Sequence, residues 1–181
     1  WLIKILATTL GETGGDAVSM SLNLGYLVSS VIFGVLFLGM VIFQVKTHSF
    51  KPFVYWATII TTTTLGTTLA DFFDRSLGLG YSTSSLVLLI LLLGSLCIWR
   101  ITLGSVSYQI SNFKSETFYW VTIMLSQTLG TALGDWTADT QGLGYLGATG
   151  IYGALLAFVA LGYYFTKFPR PLLFWAAFVL T

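Results

Sequence analysis

Apolar runs of membrane-crossing length recur along the chain, separated by short polar breaks. The runs fall at 1–14, 26–45, 53–73, 84–103, 118–136, 146–165 and 172–181. A helix of about 20 residues crosses a bilayer core. The pattern therefore predicts an all-α, polytopic transmembrane helix bundle with about seven spans in view. The breaks at 46–52, 105–116 and 167–171 combine charge with Pro52, Pro169 and Pro171, which are signals for stopping and starting helices. The first run has no charged n-region and no cleavage site, so it reads as a helix and not as a signal peptide. The first and last runs read as clipped spans.

The polar positions inside the runs repeat. A 26-residue block occurs at 1–26, 56–81 and 120–145. Each copy carries Thr-Leu-Gly, then an aspartate (Asp16, Asp71, Asp135), then Leu-Gly-Tyr ending at Tyr26, Tyr81 or Tyr145. The run 175–181 aligns with 56–62 and opens a fourth copy. This organisation reads as one transmembrane domain, 1–181, built of repeats 1–52, 53–116 and 117–171 with a partial fourth at 172–181. Each repeat holds two crossings, an a helix and a b helix. An even number of crossings makes the repeats parallel, related by an axis along the membrane normal.

On the a helices, Gly11 and Gly15, Gly66 and Ala70, and Gly130 and Gly134 form small-xxx-small pairs. In lipid such pairs let helix backbones approach closely. Thr64 and Asp71 are two turns apart on the same face, as are Thr9 and Asp16, and Thr128 and Asp135. From Trp56 to Asp71 the rise is about 22 Å, which places the aspartates in the outer third of a core about 30 Å thick. Glu12 lies one turn deeper and is expected to be the most buried acid, where the other copies have Thr67 and Thr131. Two readings compete for the aspartates. They cap the turn into the b helix, or they converge with threonine oxygens on a hard-oxygen site. Buried carboxylates brought together need a cation or a proton to neutralise them. Oxygen ligands suit magnesium, calcium or manganese. The candidate metal ligands are Glu12, Asp16, Asp71, Asp135, Thr9, Thr64 and Thr128, with Glu12 as a proton-coupled member.

Composition narrows the field. Of 181 residues, 55% are apolar and 8% charged, with mean hydropathy +0.84, against about 25% charged in a soluble domain. The net charge of +1 and the lack of a basic cluster give no support for a nucleic-acid partner. Cys97 is the single cysteine, so no disulfide forms within the chain. The single histidine, His48, reads as a solvated loop residue, so neither a Ser-His-Asp nor a Cys-His set exists and no enzyme is expected. Gly78-Leu-Gly80 and Gly142-Leu-Gly144 read as turns into the b helices, not nucleotide loops. Asp74 and Arg75 read as a solvated loop pair, and Asp139 as a residue without counterpart.

Orientation follows from charge. Lys4, Lys46, Lys51, Arg100, Lys114, Lys167 and Arg170 lie at the end that joins repeat to repeat, and Arg75 lies opposite. The positive-inside rule puts the inter-repeat loops in the cytoplasm, in the cell (inner) membrane. Tyr55-Trp56, Tyr119-Trp120 and Phe174-Trp175 are expected to form an inner aromatic belt, and Tyr26, Tyr81 and Tyr145 an outer one.

The motifs Thr9-Leu-Gly-Glu-Thr-Gly-Gly-Asp16, Thr64-Leu-Gly-Thr-Thr-Leu-Ala-Asp71 and Thr128-Leu-Gly-Thr-Ala-Leu-Gly-Asp135 resemble a family of bacterial and archaeal integral membrane proteins built from a repeat of unknown function, DUF347. The resemblance covers almost the whole chain. It implies a four-repeat, eight-helix protein, and this chain departs from it by stopping before a fourth motif. It implies no activity. The residues themselves point to a transporter of a divalent cation, manganese or magnesium. The alternatives are a non-catalytic membrane subunit or regulator of a larger complex, and a proton-coupled carrier of a small organic solute. Expected partners are the lipid bilayer, an inorganic cation or proton as substrate, and a second copy or larger membrane complex.

Overall fold

The computed structural model describes residues 1–46, 50–106, 113–140 and 142–181; His48 lies outside them. Among the described residues there are seven α-helices and no strand. They are α1 (Leu2–Asp16), α2 (Tyr26–Lys46), α3 (Pro52–Asp71), α4 (Tyr81–Leu103), α5 (Phe113–Asp135), α6 (Gly144–Phe165) and α7 (Arg170–Val179). The all-α expectation holds. Pro52 and Pro171 sit in the first turns of α3 and α7, where a missing N–H costs nothing. α5 starts five residues ahead of its apolar run. Its first turn includes Glu116, an acid that ends a hydropathy window but suits a helix N-terminus.

The a helices do not end at the aspartates. Each continues without a break into a five-residue π-helical turn: Ala17–Ser21, Phe72–Ser76 and Trp136–Thr140. Wide bonds from Leu22 N–H to the Ala17 carbonyl (2.9 Å) and from Leu77 N–H to the Phe72 carbonyl (2.9 Å) define the first two. The chain then reverses through paired left-handed residues. These are Asn23 and Gly25, Gly78 and Gly80, and Gly142 and Gly144, all at φ between 55° and 77°. The Gly-Leu-Gly sequences are thus turns into the b helices, and Asn, the residue that best tolerates this conformation after Gly, replaces the first of the pair in copy one.

The two helix types divide the work. α2, α4 and α6 are 21, 23 and 22 residues long, with mean hydropathy 2.4, 2.4 and 1.6, and are largely exposed. They are long and apolar enough to cross a membrane, and the chain is a membrane protein. Their solvent-bare leucines, isoleucines and valines are a lipid-facing surface. α3 and α5 are less apolar and instead bury eleven residues each.

Packing falls into two compact units, Trp1–Gly80 and Tyr81–Thr181. In the first, α3 packs against both α1 and α2; in the second, α4 packs along α5, and α7 touches α5 and α6. The extensive pairs are α2 with α3 and α4 with α5, each joined by an inter-repeat connection, and α1 with α3, which are not consecutive. Within a repeat the two helices meet mainly through the π turn, the first against α2 and the third against α6. The packing hairpin is out of phase with the sequence repeat.

The aromatic residues expected at the inner membrane edge are core residues in the second unit. Tyr119, Trp120 and Trp175 are buried. Trp99 stacks on Phe118 with ring centroids 6.0 Å apart and meets Trp175 edge-on at 5.9 Å. Their large apolar area is better used between helices than at an interface.

Close approach of the a helices rests on glycine. A Cβ on Gly11 would lie 2.7 Å from Thr63 Cβ and 3.0 Å from the Ile60 carbonyl oxygen; one on Gly130 would lie 2.8 Å from the Val179 carbonyl oxygen. Ile60 and Val179 occupy the same place in their copies. The same glycine-on-carbonyl contact thus recurs in both units. Gly11→Ala is expected to cost about 1–3 kcal/mol through overpacking against a branched Thr63. Gly14→Ala, with open space around it, is expected to leave stability unchanged or slightly higher. Thermal unfolding of the two variants in detergent checks this; equal melting temperatures would contradict the close-packed contact.

Candidate functional site

The buried hydroxyls of the a helices are mostly satisfied by their own helix. Thr58, Thr62, Thr63 and Thr64 each donate to the carbonyl four residues back, at 2.6–3.1 Å. Of the candidate ligands, Thr9, Thr64 and Thr128 all do this, to Ile5, Ile60 and Met124, each at 2.9 Å. Thr64 and Thr128 are buried; Thr9 is exposed. This back-bonding lets a polar side chain sit among apolar ones without a ligand. Three serines depart from the rule. The hydroxyls of Ser29, Ser30 and Ser85 are buried, 5% exposed or less, with no hydrogen-bond partner among the described residues. All three lie in the first turns of b helices.

Asp71, 2% exposed, is the most buried acid. Its Oδ1 takes Arg75 Nε at 2.9 Å, one turn on, across the junction of α3 with its π turn. The Tyr26 hydroxyl is hydrogen-bonded to the same arginine, and Asp16 lies within the field of that guanidinium. The structure therefore brings Asp16 and Asp71 together around Arg75 and Tyr26. This corrects the reading of Arg75 as the solvated partner of Asp74, which is itself buried. Neither side chain caps the π turn that follows it.

In the second unit the corresponding contact differs. The Tyr81 hydroxyl donates to Asp139 Oδ2 at 3.1 Å. Counted from Trp56 and Trp120, Arg75 and Asp139 hold the same place in their copies, with Met20 in the first. Asp139 thus has a counterpart after all, of opposite charge. Asp135 is half-buried at the end of α5.

Glu12 is exposed, contrary to expectation. α3 and α5 are each covered by the b helix before them, so Thr67 and Thr131 are buried at this place; α1 packs on α3 and turns Glu12 outward. The buried charge of α1 is Lys4, 3% exposed, where the other copies have the fully buried Ile59 and Ile123. Glu12 acts on Lys4 electrostatically from two turns away. Among the described residues no three His, Cys, Asp or Glu side chains gather into a metal-ligand group. Sequence reasoning missed Tyr26, Arg75, Tyr81, Lys4 and the three serines. Aligning the copies place by place would have exposed the Arg75–Asp139 exchange and the Lys4–isoleucine exchange; nothing in the sequence separates the unsatisfied serines from the satisfied threonines.

These features define a helical membrane protein of tandem two-helix repeats, each with an aspartate at an α-to-π junction. The chain belongs to the family described as Repeat of Unknown Function (DUF347), whose model matches residues 1–50, 54–104 and 118–168. Comparison with curated proteins and with solved structures gave no match.

Removing the guanidinium should leave the Asp71 charge buried without it. Arg75→Gln is expected to cost about 1–3 kcal/mol, the discount reflecting a partly exposed arginine. The double variant Asp71→Asn with Arg75→Gln should regain most of that loss. A double-mutant cycle on detergent melting temperatures reads the coupling; additive effects would mean that the pair is energetically idle.

Proposed function

We propose that this protein is an integral membrane transporter of a small cation, with manganese or magnesium as the cargo to test first. The observation that supports it most is Asp71, a carboxylate buried in a membrane protein at a helix irregularity and held by one arginine that a second carboxylate, Asp16, also feels. Ionisable groups at such depth mark ion and proton paths, and π turns recur where helices carry function. The back-bonded threonines supply further oxygens along α3 and α5 whose lone pairs stay available as ligands.

A proton-linked carrier is the second reading. One guanidinium facing two carboxylates leaves one negative charge for a proton to cover. Orientation with inter-repeat loops in the cytoplasm is part of the proposal, supported by Lys46, Lys51, Arg100, Lys114, Lys167 and Arg170 at those ends.

Proteoliposomes loaded with a pH dye and a metal dye separate the readings. Manganese or magnesium entry that falls at least tenfold in Asp71→Asn supports the metal carrier. A pH change driven by an added small solute, lost in the same variant, supports the proton-linked carrier instead. No flux of either kind above empty liposomes overturns transport.

A further inference from the structure

We propose that the α2–α3 and α6–α7 connections each bind the headgroup of an anionic phospholipid. The two surfaces lie in different units, and each stands on its own residues. In the first unit Lys46 ends α2 and Lys51 directly precedes α3; in the second Lys167 lies between α6 and α7 and Arg170 opens α7. All four are exposed. The sequence holds no acid from 17 to 70 and none from 140 to 181. None of the four cations takes part in an ion pair among the described residues. The α4–α5 connection differs, since Lys114 is followed two residues on by Glu116.

Lys51 and Arg170 hold the same place in their copies, five residues before Trp56 and Trp175. Each stands over an aromatic ring in the last turn of the preceding b helix. Lys51 Nζ is 5.9 Å from the centre of the Phe43 ring, and the Arg170 guanidinium carbon is 4.1 Å from that of Tyr163. Arg170 also donates to the Tyr163 carbonyl, which satisfies an acceptor left over at the end of α6. A ring beneath a cation fixes its position without neutralising its charge. The arginine fork carries further N–H donors, and a phosphodiester accepts from such a fork.

The apolar company of these cations selects a lipid. Phe53, one residue into α3, is 92% exposed, and Tyr164 at the end of α6 is 78% exposed; Phe50 and Phe168 are exposed as well. In the second unit the rings expected at the inner edge, Tyr119, Trp120 and Trp175, are buried, so the aromatics of the connection take that role. They continue the bare aliphatic surfaces of α2 and α6. Rings on one side and cations without carboxylates on the other match the boundary where acyl chains meet phosphate. A soluble anion would leave the rings uncovered. Net negative charge on the headgroup matters, because each basic residue near an anionic leaflet adds about a fivefold preference. This inference goes beyond the transport reading and does not depend on it.

The test is native mass spectrometry of the delipidated full chain in detergent, titrated with phosphatidylglycerol or with phosphatidylcholine of the same acyl chains. Two phosphatidylglycerols per chain are expected to bind at least tenfold more tightly than phosphatidylcholine, and added salt should narrow the gap. Lys46→Gln with Lys51→Gln should remove one of the two, and Lys167→Gln with Arg170→Gln the other, at unchanged helical content and elution. Arg100→Gln with Lys114→Gln removes the same charge and should keep both. Tyr164→Ser with Phe168→Ser should weaken the second-unit site several-fold with its charge intact. Equal affinity for the two lipids overturns the proposal, and this wild-type comparison decides by itself if a variant fails to fold. Equal loss in Arg100→Gln with Lys114→Gln also overturns it, since net charge alone would then suffice. Displacement of the lipid by glycerol phosphate at matched concentration would assign the surfaces to a free anion and overturn the lipid.

Discussion

Polar groups between these helices have no bulk water to turn to, and that constraint organises the rest of the structure. Threonine after threonine on α3 returns its hydroxyl to the carbonyl one turn back, so the helix can bury a polar face against α1 and α2. The acid at its end is met within one turn by Arg75. Glycine then permits the helices to touch backbone to side chain, which excludes water further and makes each local solution obligatory. Satisfaction at short range, close approach and dryness are therefore one condition seen from three sides.

From that condition follows the split between helix types. The b helices can be almost wholly aliphatic because they have a lipid-facing duty and little polar chemistry to shelter. The a helices can afford low apolarity because the b helix of the preceding repeat covers them. A polar helix is tolerated in this fold to the extent that an apolar one shields it, as α2 shields α3 and α4 shields α5.

Much of the fold was legible in the sequence because hydropathy and repetition are long-range, redundant signals. The seven helices among the described residues, the tandem repetition and the Gly-Leu-Gly turns could be read from residue types alone. The partnership of helices could not. Sequence proximity pairs α5 with α6, whereas shape pairs α4 with α5. The site was half legible. Asp71 stood out by its place in the motif, but its arginine was assigned to the neighbouring Asp74, since adjacency in the chain does not reveal that a helix brings residues four apart together. Glu12 was misjudged because depth along an axis was read as burial, and burial depends on which side of the helix a neighbour occupies. Tyr119, Trp120 and Trp175 were assigned to a membrane edge on residue type, which does not distinguish an interface from a core.

The offset between the repeat and the packing hairpin has a consequence for how such a protein is assembled. What the sequence copies is an a helix followed by a b helix; what packs is a b helix followed by the next a helix. Each helix from α1 to α5 finds its main partner in a neighbouring copy, while α6 meets the π turn of its own copy. Cohesion comes from the seams between copies. A single repeat is then not a small version of the protein but an open link, and the array is a chain in which every link is closed by its neighbour.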